Sequence, residues 1–349
     1  MMKRLNKKLI VLFAALIILV AVFFVYVLWL PNSISNPKGE VVTISKGMSF
    51  HAVADSLDAK GIVRSKWAFM LAGRFLGSTK SIKVGKYIFL SGMSNEQILR
   101  DICKGKSRLV ISVTIPEGWR LEQIAHRYER ELGISTDRFL QLCYDSTFIV
   151  SNGVNAPSLE GYLMPDTYSF YWQPDEEEVI KRMVNGLFSF YSDSLIERQK
   201  QLKVSLHEVL TLASIVEAES ISDEERPRIA GVYWNRLKKK MRLEADPTVQ
   251  YAIGKERRLL YRDLDVNSPY NTYRRIGLPP GPINNPGRAS ILATLYPEKH
   301  SYIYFVSNGA GGHRFASSYS EHQRNVALYR KFRREQRRLA MQKISAEEQ

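Results

Sequence analysis

The 349-residue chain has only two cysteines, Cys103 and Cys143, and six histidines. Two cysteines cannot build a disulfide framework, and the sequence leaves open whether they pair or stay reduced and buried. His-Glu-x-x-His, a cysteine cluster, a phosphate loop and Gly-x-Ser-x-Gly are all missing, so no metal and no other cofactor is expected. Acidic residues are scarce as well: 35 Asp and Glu stand against 50 Lys and Arg, a formal charge of +15. That excess admits nucleic acid, a membrane surface or an acidic extracellular polymer as partner. Apolar residues are not scarce. At 45% hydrophobic composition the chain can fill real cores, which excludes a disordered protein, and its length favours two domains.

Residues Leu9 to Leu30 carry no charge. As a helix rising ~1.5 Å per residue they reach about 33 Å, enough to cross a bilayer core. A cleaved signal peptide is the rival reading, but its apolar region is normally shorter, and no small-x-small pattern precedes Pro31. Lys3, Arg4, Lys7 and Lys8 lie ahead of the span without an acid, so the positive-inside rule places residues 1–8 in the cytoplasm and the rest beyond the membrane. An extracytoplasmic protein makes nucleic acid a poor partner. The charge is also unevenly spread: residues 1–8 hold +4 and His322 to Gln349 hold +5, leaving +6 for the remainder. The basic end, from Arg330 onward, reads as a solvated helix that touches anionic lipid or wall polymer.

A linker, residues 31–39, leads into an internal repeat. Val42-Thr43-Ile44, Gly47, Val53-Ala54, Leu57 and Gly61-Ile62 match Val113-Thr114-Ile115, Gly118, Ile124-Ala125, Tyr128 and Gly133-Ile134. Each copy reads as a β-branched strand, a glycine turn and a short amphipathic helix. The unit resembles LysM-like glycan-binding modules, with a plain spacer as the alternative. Between the copies, residues 84–90 read as a strand and 95–103 as a helix. Residues 159–168, dense in aromatics and turn formers, read as an ordered functional loop, and residues 176–203 as helical.

Ser205 and Glu208 form a capping box that opens a helix whose apolar stripe runs through Leu206, Val209, Leu210, Leu212, Ala213 and Val216. At ~100° per residue, Glu217 falls within about 40° of Leu206, Leu210 and Ala213, whereas Glu219 points about 200° away, alongside Glu208. A carboxyl on a buried face is one whose neutral form is favoured, which is what general acid catalysis on a glycosidic oxygen needs. The bland alternative is that the helix ends there and Glu217 reaches water.

Downstream, Asp246-Pro247-Thr248-Val249-Gln250, Tyr270-Asn271-Thr272-Tyr273, Gly277 to Ile283 and Asn285-Pro286-Gly287 crowd amides and aromatics into loops stiffened by Pro and Gly. Such loops suit sugars, whose faces pack on rings and whose hydroxyls meet amides. Asp246 also reads as a helix N-cap, and Tyr270 and Tyr273 equally as core. Gly311-Gly312-His313 reads as a hairpin turn with a structural histidine.

Taken in order, Ala213 to Ser220, Asp246-Pro247-Thr248, Tyr270 to Tyr273, Gly277 to Ile283, Asn285-Pro286-Gly287 and Gly312-His313 resemble the YceG-like family of endolytic murein transglycosylases. The resemblance runs from the repeat to about Tyr329 and includes the anchor. It implies an α+β fold: residues 1–8 cytoplasmic, 9–30 transmembrane, 31–39 linker, 40–155 LysM-like repeat region, 156–330 catalytic domain and 331–349 basic tail. It implies cleavage of the MurNAc-GlcNAc β-1,4 bond of peptidoglycan strands at the bacterial inner membrane, leaving 1,6-anhydro ends. Glu217 matches the catalytic glutamate, and Glu219, Asp246, Thr248, Gln250, Tyr270, Asn271, Thr272 and Tyr273 are expected at the substrate. Cell-wall synthases are candidate partners. The alternatives are a hydrolytic muramidase, whose product end carries one more water, and a non-catalytic murein-binding membrane scaffold for cell-wall synthases.

Overall fold

The computed structural model describes residues 2–347 except residue 256. In chain order the elements are α1 (Met2–Leu28), β1 (Glu40–Ile44), α2 (Phe50–Ala59), α3 (Lys66–Phe75), β2 (Gly85–Phe89), α4 (Asn95–Lys104), β3 (Ile111–Thr114), α5 (Leu121–Leu132), α6 (Thr136–Tyr144) and α7 (Ser146–Ser151). They continue with β4 (Thr167–Phe170), α8 (Glu176–Phe190), α9 (Asp193–Leu202), α10 (Leu206–Glu219), α11 (Arg226–Lys238), α12 (Asp246–Ala252), α13 (Arg288–Leu295), β5 (Tyr304–Ser307), β6 (His313–Ala316) and α14 (Tyr319–Glu347). Among the described residues the strands pair only two by two, β1 with β2, β3 with β4 and β5 with β6, so the fold mixes helix and sheet with helix dominant. Two compact units result. One holds residues 1–113, 131–134 and 169–174; the other holds 114–130, 135–168 and 175–349. The division falls within β3.

In the first unit, β1 and β2 pair antiparallel from Glu40 opposite Phe89 to Ile44 opposite Gly85. Alternation along β1 buries Val42 and Ile44 against Val53, Leu57, Phe69, Ile98 and Ile102. Ser49, Ser65 and Ser94 each cap the next helix by accepting a backbone N–H. Helix α1, from Lys7 to Leu28, is long and apolar enough to cross a membrane. It ends at Leu28, three residues before Pro31, whose ring cannot continue it. Its last turn belongs to the folded unit: Val27 is fully buried, and Asn95 Nδ2 donates to the Val27 carbonyl at 2.8 Å. The start of the expected linker is packed too. Asn32 donates to Met93 O and Asn95 Oδ1 and accepts from Arg64 N–H, and Ile34 is buried.

The repeat appears as a shared order of elements. Each copy has a strand, a glycine with φ of +81° (Gly47) or +76° (Gly118), a helix, further helix and a closing strand, β2 or β4. The φ values explain why glycine stands at both turns. The first copy lies in the first unit, whereas the second is divided, with Val113 and Gly133-Ile134 in the first unit and residues 114–130 in the second. Cys103 and Cys143 lie in different units and are both free.

The second unit is built around α10. Its capping box forms as expected, with Glu208 N–H on Ser205 Oγ and Ser205 N–H on Glu208 Oε2. The single-stripe reading needs correction, because residues 209–216 are buried all round by α11, α12 and α13. A helix enclosed on every side shows no stripe. The expected 176–203 helix is two, α8 and α9, broken at Tyr191-Ser192. Strands β5 and β6 form the expected hairpin, Ser307 opposite His313, with Gly309 and Gly311 at positive φ in its loop. Helix α14 packs its first turns on that hairpin and runs on, mostly exposed as far as Arg338.

Candidate active site

Glu217 sits in the last turn of α10 with its side chain 7% exposed. Its two oxygens have separate donors: Arg226 Nη2 reaches Oε1 at 2.8 Å, and the Gly287 backbone N–H reaches Oε2 at 2.9 Å. Arg226 opens α11, is 10% exposed, and is steadied by Nε donating to Ser290 Oγ at 2.9 Å and by an ion pair with Asp223. A second carboxyl shares this arginine. Glu117 Oε2 lies 3.8 Å from Arg226 Nη2, and the Glu117 side chain packs so tightly on Gly287 that any Cβ there would overlap its carboxyl. Partial burial and then the Glu217 charge push the Glu117 carboxyl upward, with Arg226 opposing.

Three loops are locked together to present these groups. Asn285, fully buried, donates from Nδ2 to Trp119 O and Glu160 Oε1 and accepts on Oδ1 from the N–H groups of Gly161 and Leu163, all at 2.9 Å. Gly118 N–H returns a bond to the Asn285 carbonyl. On the other side, Ser214 of α10 holds the same loop, accepting from Ile283 N–H on Oγ and from Asn284 Nδ2 on its carbonyl. His207 donates to Pro280 O and accepts from Tyr162 OH, joining the start of α10 to both loops. Glu160, enclosed at this junction, is pushed up to about 8 by burial and by Glu122. The loop at 159–168 is therefore a structural tie behind the site.

Beside Glu217 lies a cleft of about 390 Å³ whose walls include Gly118, Arg120, Ala218, Gln250, Arg258 and Asn284. Asn284 is 4% exposed, and its Oδ1 has no hydrogen-bond partner among the described residues. Of the residues expected at the substrate, only Gln250 lines this cleft; its Nε2 also donates to Arg257 O. Thr248, Asn271 and Thr272 are instead buried framework. Thr272 Oγ1 accepts from Ala245 N–H and bonds Thr248 Oγ1, while Asn271 Nδ2 donates to Leu264 O and Val266 O. These are the small polar residues that satisfy the backbone of a tight turn, so their hydroxyls and amide are already spent. Asp246 is not the N-cap but the first residue of α12, and its carboxylate accepts from Tyr273 OH at 2.7 Å. Glu219 does point away from Glu217, into a desolvated place beside Tyr233 where burial, then Asp246, lifts it to about 7. Tyr270 is half-buried with its ring 4.8 Å from Tyr251. His313 is structural, its Nδ1 2.8 Å from Glu225 Oε2. Among the described residues no group of three or more His, Cys, Asp or Glu side chains converges to hold a metal ion.

Residues 42–328 match the family model described as the YceG-like family. The chain belongs to the YceG-like family. YceG-like relatives include the endolytic murein transglycosylase of Bacillus subtilis (strain 168), 37% identical over 82% of this chain and 84% of that one. Another is the endolytic murein transglycosylase of Streptococcus pneumoniae (strain ATCC BAA-255 / R6), 30% identical over 85% of this chain and 60% of that longer protein. Among solved structures, a yceG-like protein from Listeria monocytogenes superposes with a TM-score of 0.59 at 34% identity, covering 83% of this chain and 99% of that one. The YceG-like match contains every residue of the Glu217 site and stops short of the basic end of α14.

Sequence reasoning missed Glu117, Arg226, Asn284 and Glu160. One signal was present. In the repeat, the position before the turn glycine is Lys46 in the first copy and Glu117 in the second, a reversal of charge in otherwise matched surroundings.

Proposed function

We propose that this chain is an endolytic murein transglycosylase that cuts the MurNAc-GlcNAc β-1,4 bond of nascent glycan strands and leaves 1,6-anhydro-MurNAc ends. The observation that carries the reading is the Glu217 carboxyl, nearly buried and fixed at both oxygens beside a cleft walled by arginine and amide groups. In the reaction, Glu217 in its acid form gives its proton to the glycosidic oxygen as the C1–O4 bond breaks. The muramoyl O6 closes on C1, and its proton passes to the Glu217 carboxylate, restoring the acid without water. Because the nucleophile is held within the substrate, one carboxyl serves as acid and then base, whereas most glycosidases divide those roles between two. Asn284 lines the cleft, and its buried Oδ1 is an unsatisfied acceptor that a small shift of the side chain would turn toward a sugar N–H or O–H.

Helix α1 anchors the protein by a single pass in the bacterial cytoplasmic membrane, residues 1–8 inside and the catalytic unit outside, on the asymmetry of Lys3, Arg4, Lys7 and Lys8. The repeated strand-turn-helix copies act as LysM-like elements toward glycan. Cell-wall synthases are the natural partners of an enzyme working on strands still at the membrane. The reading is tested on purified glycan strands by mass spectrometry: the new end is lighter than a hydrolytic one by one water. Glu217→Gln, folded as judged by circular dichroism, gives no product; full activity in that variant refutes the assignment.

A further inference from the structure

We infer that Glu117 is the second carboxyl of this site, a positioning residue that sets how firmly Glu217 holds the proton it transfers. The inference rests on the transglycosylase reading above and deepens it. Three observations place Glu117 there. Its Oε2 is 3.8 Å from Arg226 Nη2, the same nitrogen that bonds Glu217 Oε1 at 2.8 Å, so two carboxyl groups share one guanidinium. Its side chain rests on Gly287, whose N–H holds the other Glu217 oxygen. Gly118, the next residue, sits against Glu217, since a Cβ on Gly118 would lie 3.5 Å from Glu217 Cγ. Position 117 thus adjoins Arg226 and Gly287, the two groups that fix Glu217.

One guanidinium offers one positive charge. With both carboxyls ionised the cluster carries a net negative charge in a partly desolvated place, a state disfavoured for neighbouring acids. The charged groups facing Glu117 are Glu217 from α10 and Arg226 from α11; behind Arg226 stands the exposed Asp223, which adds to the negative side. Burial and the Glu217 charge both push the Glu117 carboxyl up. The two carboxyls therefore compete for one guanidinium, and the Glu117 charge weakens the hold of Arg226 on ionised Glu217. A transglycosylase needs that, because its single acid must begin each turnover protonated although Arg226 lies against it. The arrangement differs from a two-carboxylate glycosidase: Glu117 tunes the acid, and the sugar's own O6 remains the nucleophile.

The test compares the pH dependence of kcat/KM for full-length wild type, Glu117→Gln and Glu117→Asp on purified glycan strands. Glutamine keeps the shape and removes the charge. Its basic limb is expected to move down by about one pH unit, with about a tenfold loss at pH 7–8 and little loss at pH 5, while aspartate, which keeps the charge, restores the limb toward wild type. A Glu117→Gln profile identical to wild type overturns the inference. So does a loss that is uniform across pH, the mark of a merely structural side chain. Glu217→Gln separates the two readings. If that variant keeps its activity, the function assigned to Glu217 fails; if it is inactive while Glu117→Gln leaves the limb in place, only the role of Glu117 fails.

Discussion

Replacing Asn285 by alanine removes the tie among the three loops around Glu217. Four groups lose their partner: the N–H of Gly161, the N–H of Leu163, Trp119 O and Glu160 Oε1. Each buried polar group left unsatisfied costs about 1–3 kcal/mol, so the four together bound the loss at roughly 4–12 kcal/mol. The upper end assumes that nothing relaxes. Removal of the amide leaves space for about one water, which can restore some of the bonds, so the expected cost is about 3–5 kcal/mol. Asn285→Asp divides the effect: it keeps the two acceptor bonds, loses the two donor bonds, and sets a second carboxyl against Glu160. The assay is denaturant unfolding of the full chain in detergent, followed through tryptophan fluorescence, where Trp119 reports the affected loop and a separate transition of the other unit is an internal control. Loss of less than about 1 kcal/mol in Asn285→Ala would refute the view that this side chain, and not the surrounding apolar packing, holds the loops.

Other outcomes follow from the same geometry. Glu160, pushed up to about 8 in the folded chain, keeps its proton while the unfolded chain releases it near the ordinary carboxyl value. Its contribution is thus fully present in acid and declines between about pH 4.5 and 8, by up to ~1.4 kcal/mol per unit, and Glu160→Gln should flatten that slope in unfolding curves. Asn284→Ala should raise KM for glycan strands several-fold with a smaller change in kcat, since Asn284 lines the cleft and its buried Oδ1 has no partner among the described residues; an unchanged KM would remove Asn284 from substrate binding. Truncation after Tyr329 removes four of the five arginines (Arg258, Arg330, Arg333, Arg334 and Arg337) that line a groove of about 670 Å³. Sedimentation with anionic vesicles should then fall and lose its salt dependence, and equal binding by the truncated and full chains would make that end a solvated helix only.

Local signals in the sequence predicted local structure well. The apolar run at Leu9, the Ser205-Glu208 box and the β-branched strands of the repeat each announce an element by composition or spacing, and each is present. Glu217 stands out in the sequence because a charged residue contradicts its surroundings, although the helix is buried on all sides over residues 209–216 and not along one stripe. Glu117 and Arg226 were hidden for the opposite reason. Each is a charged residue at a loop or helix start, where charge is ordinary, and only the tertiary meeting of segments about 100 residues apart gives them meaning. The residues expected at the substrate carry a related ambiguity. Thr248, Asn271 and Thr272 have the residue types of a sugar site and the spacing of a turn, and the turn won because backbone groups lay nearer than any ligand.

The junction between α1 and the first unit has a mechanical consequence. A free nine-residue linker would let the following unit wander over roughly 15–18 Å. Here the residues after Leu28 are clasped at once, by Asn95 on Val27, by Asn32 on Met93 and by Arg64 on Asn32. Under the proposed single-pass anchoring, the first unit is less a kite on a string than a flag on a pole: each degree by which the span leans, in thicker lipid or under a neighbouring helix, becomes a degree of rotation of the unit mounted on it.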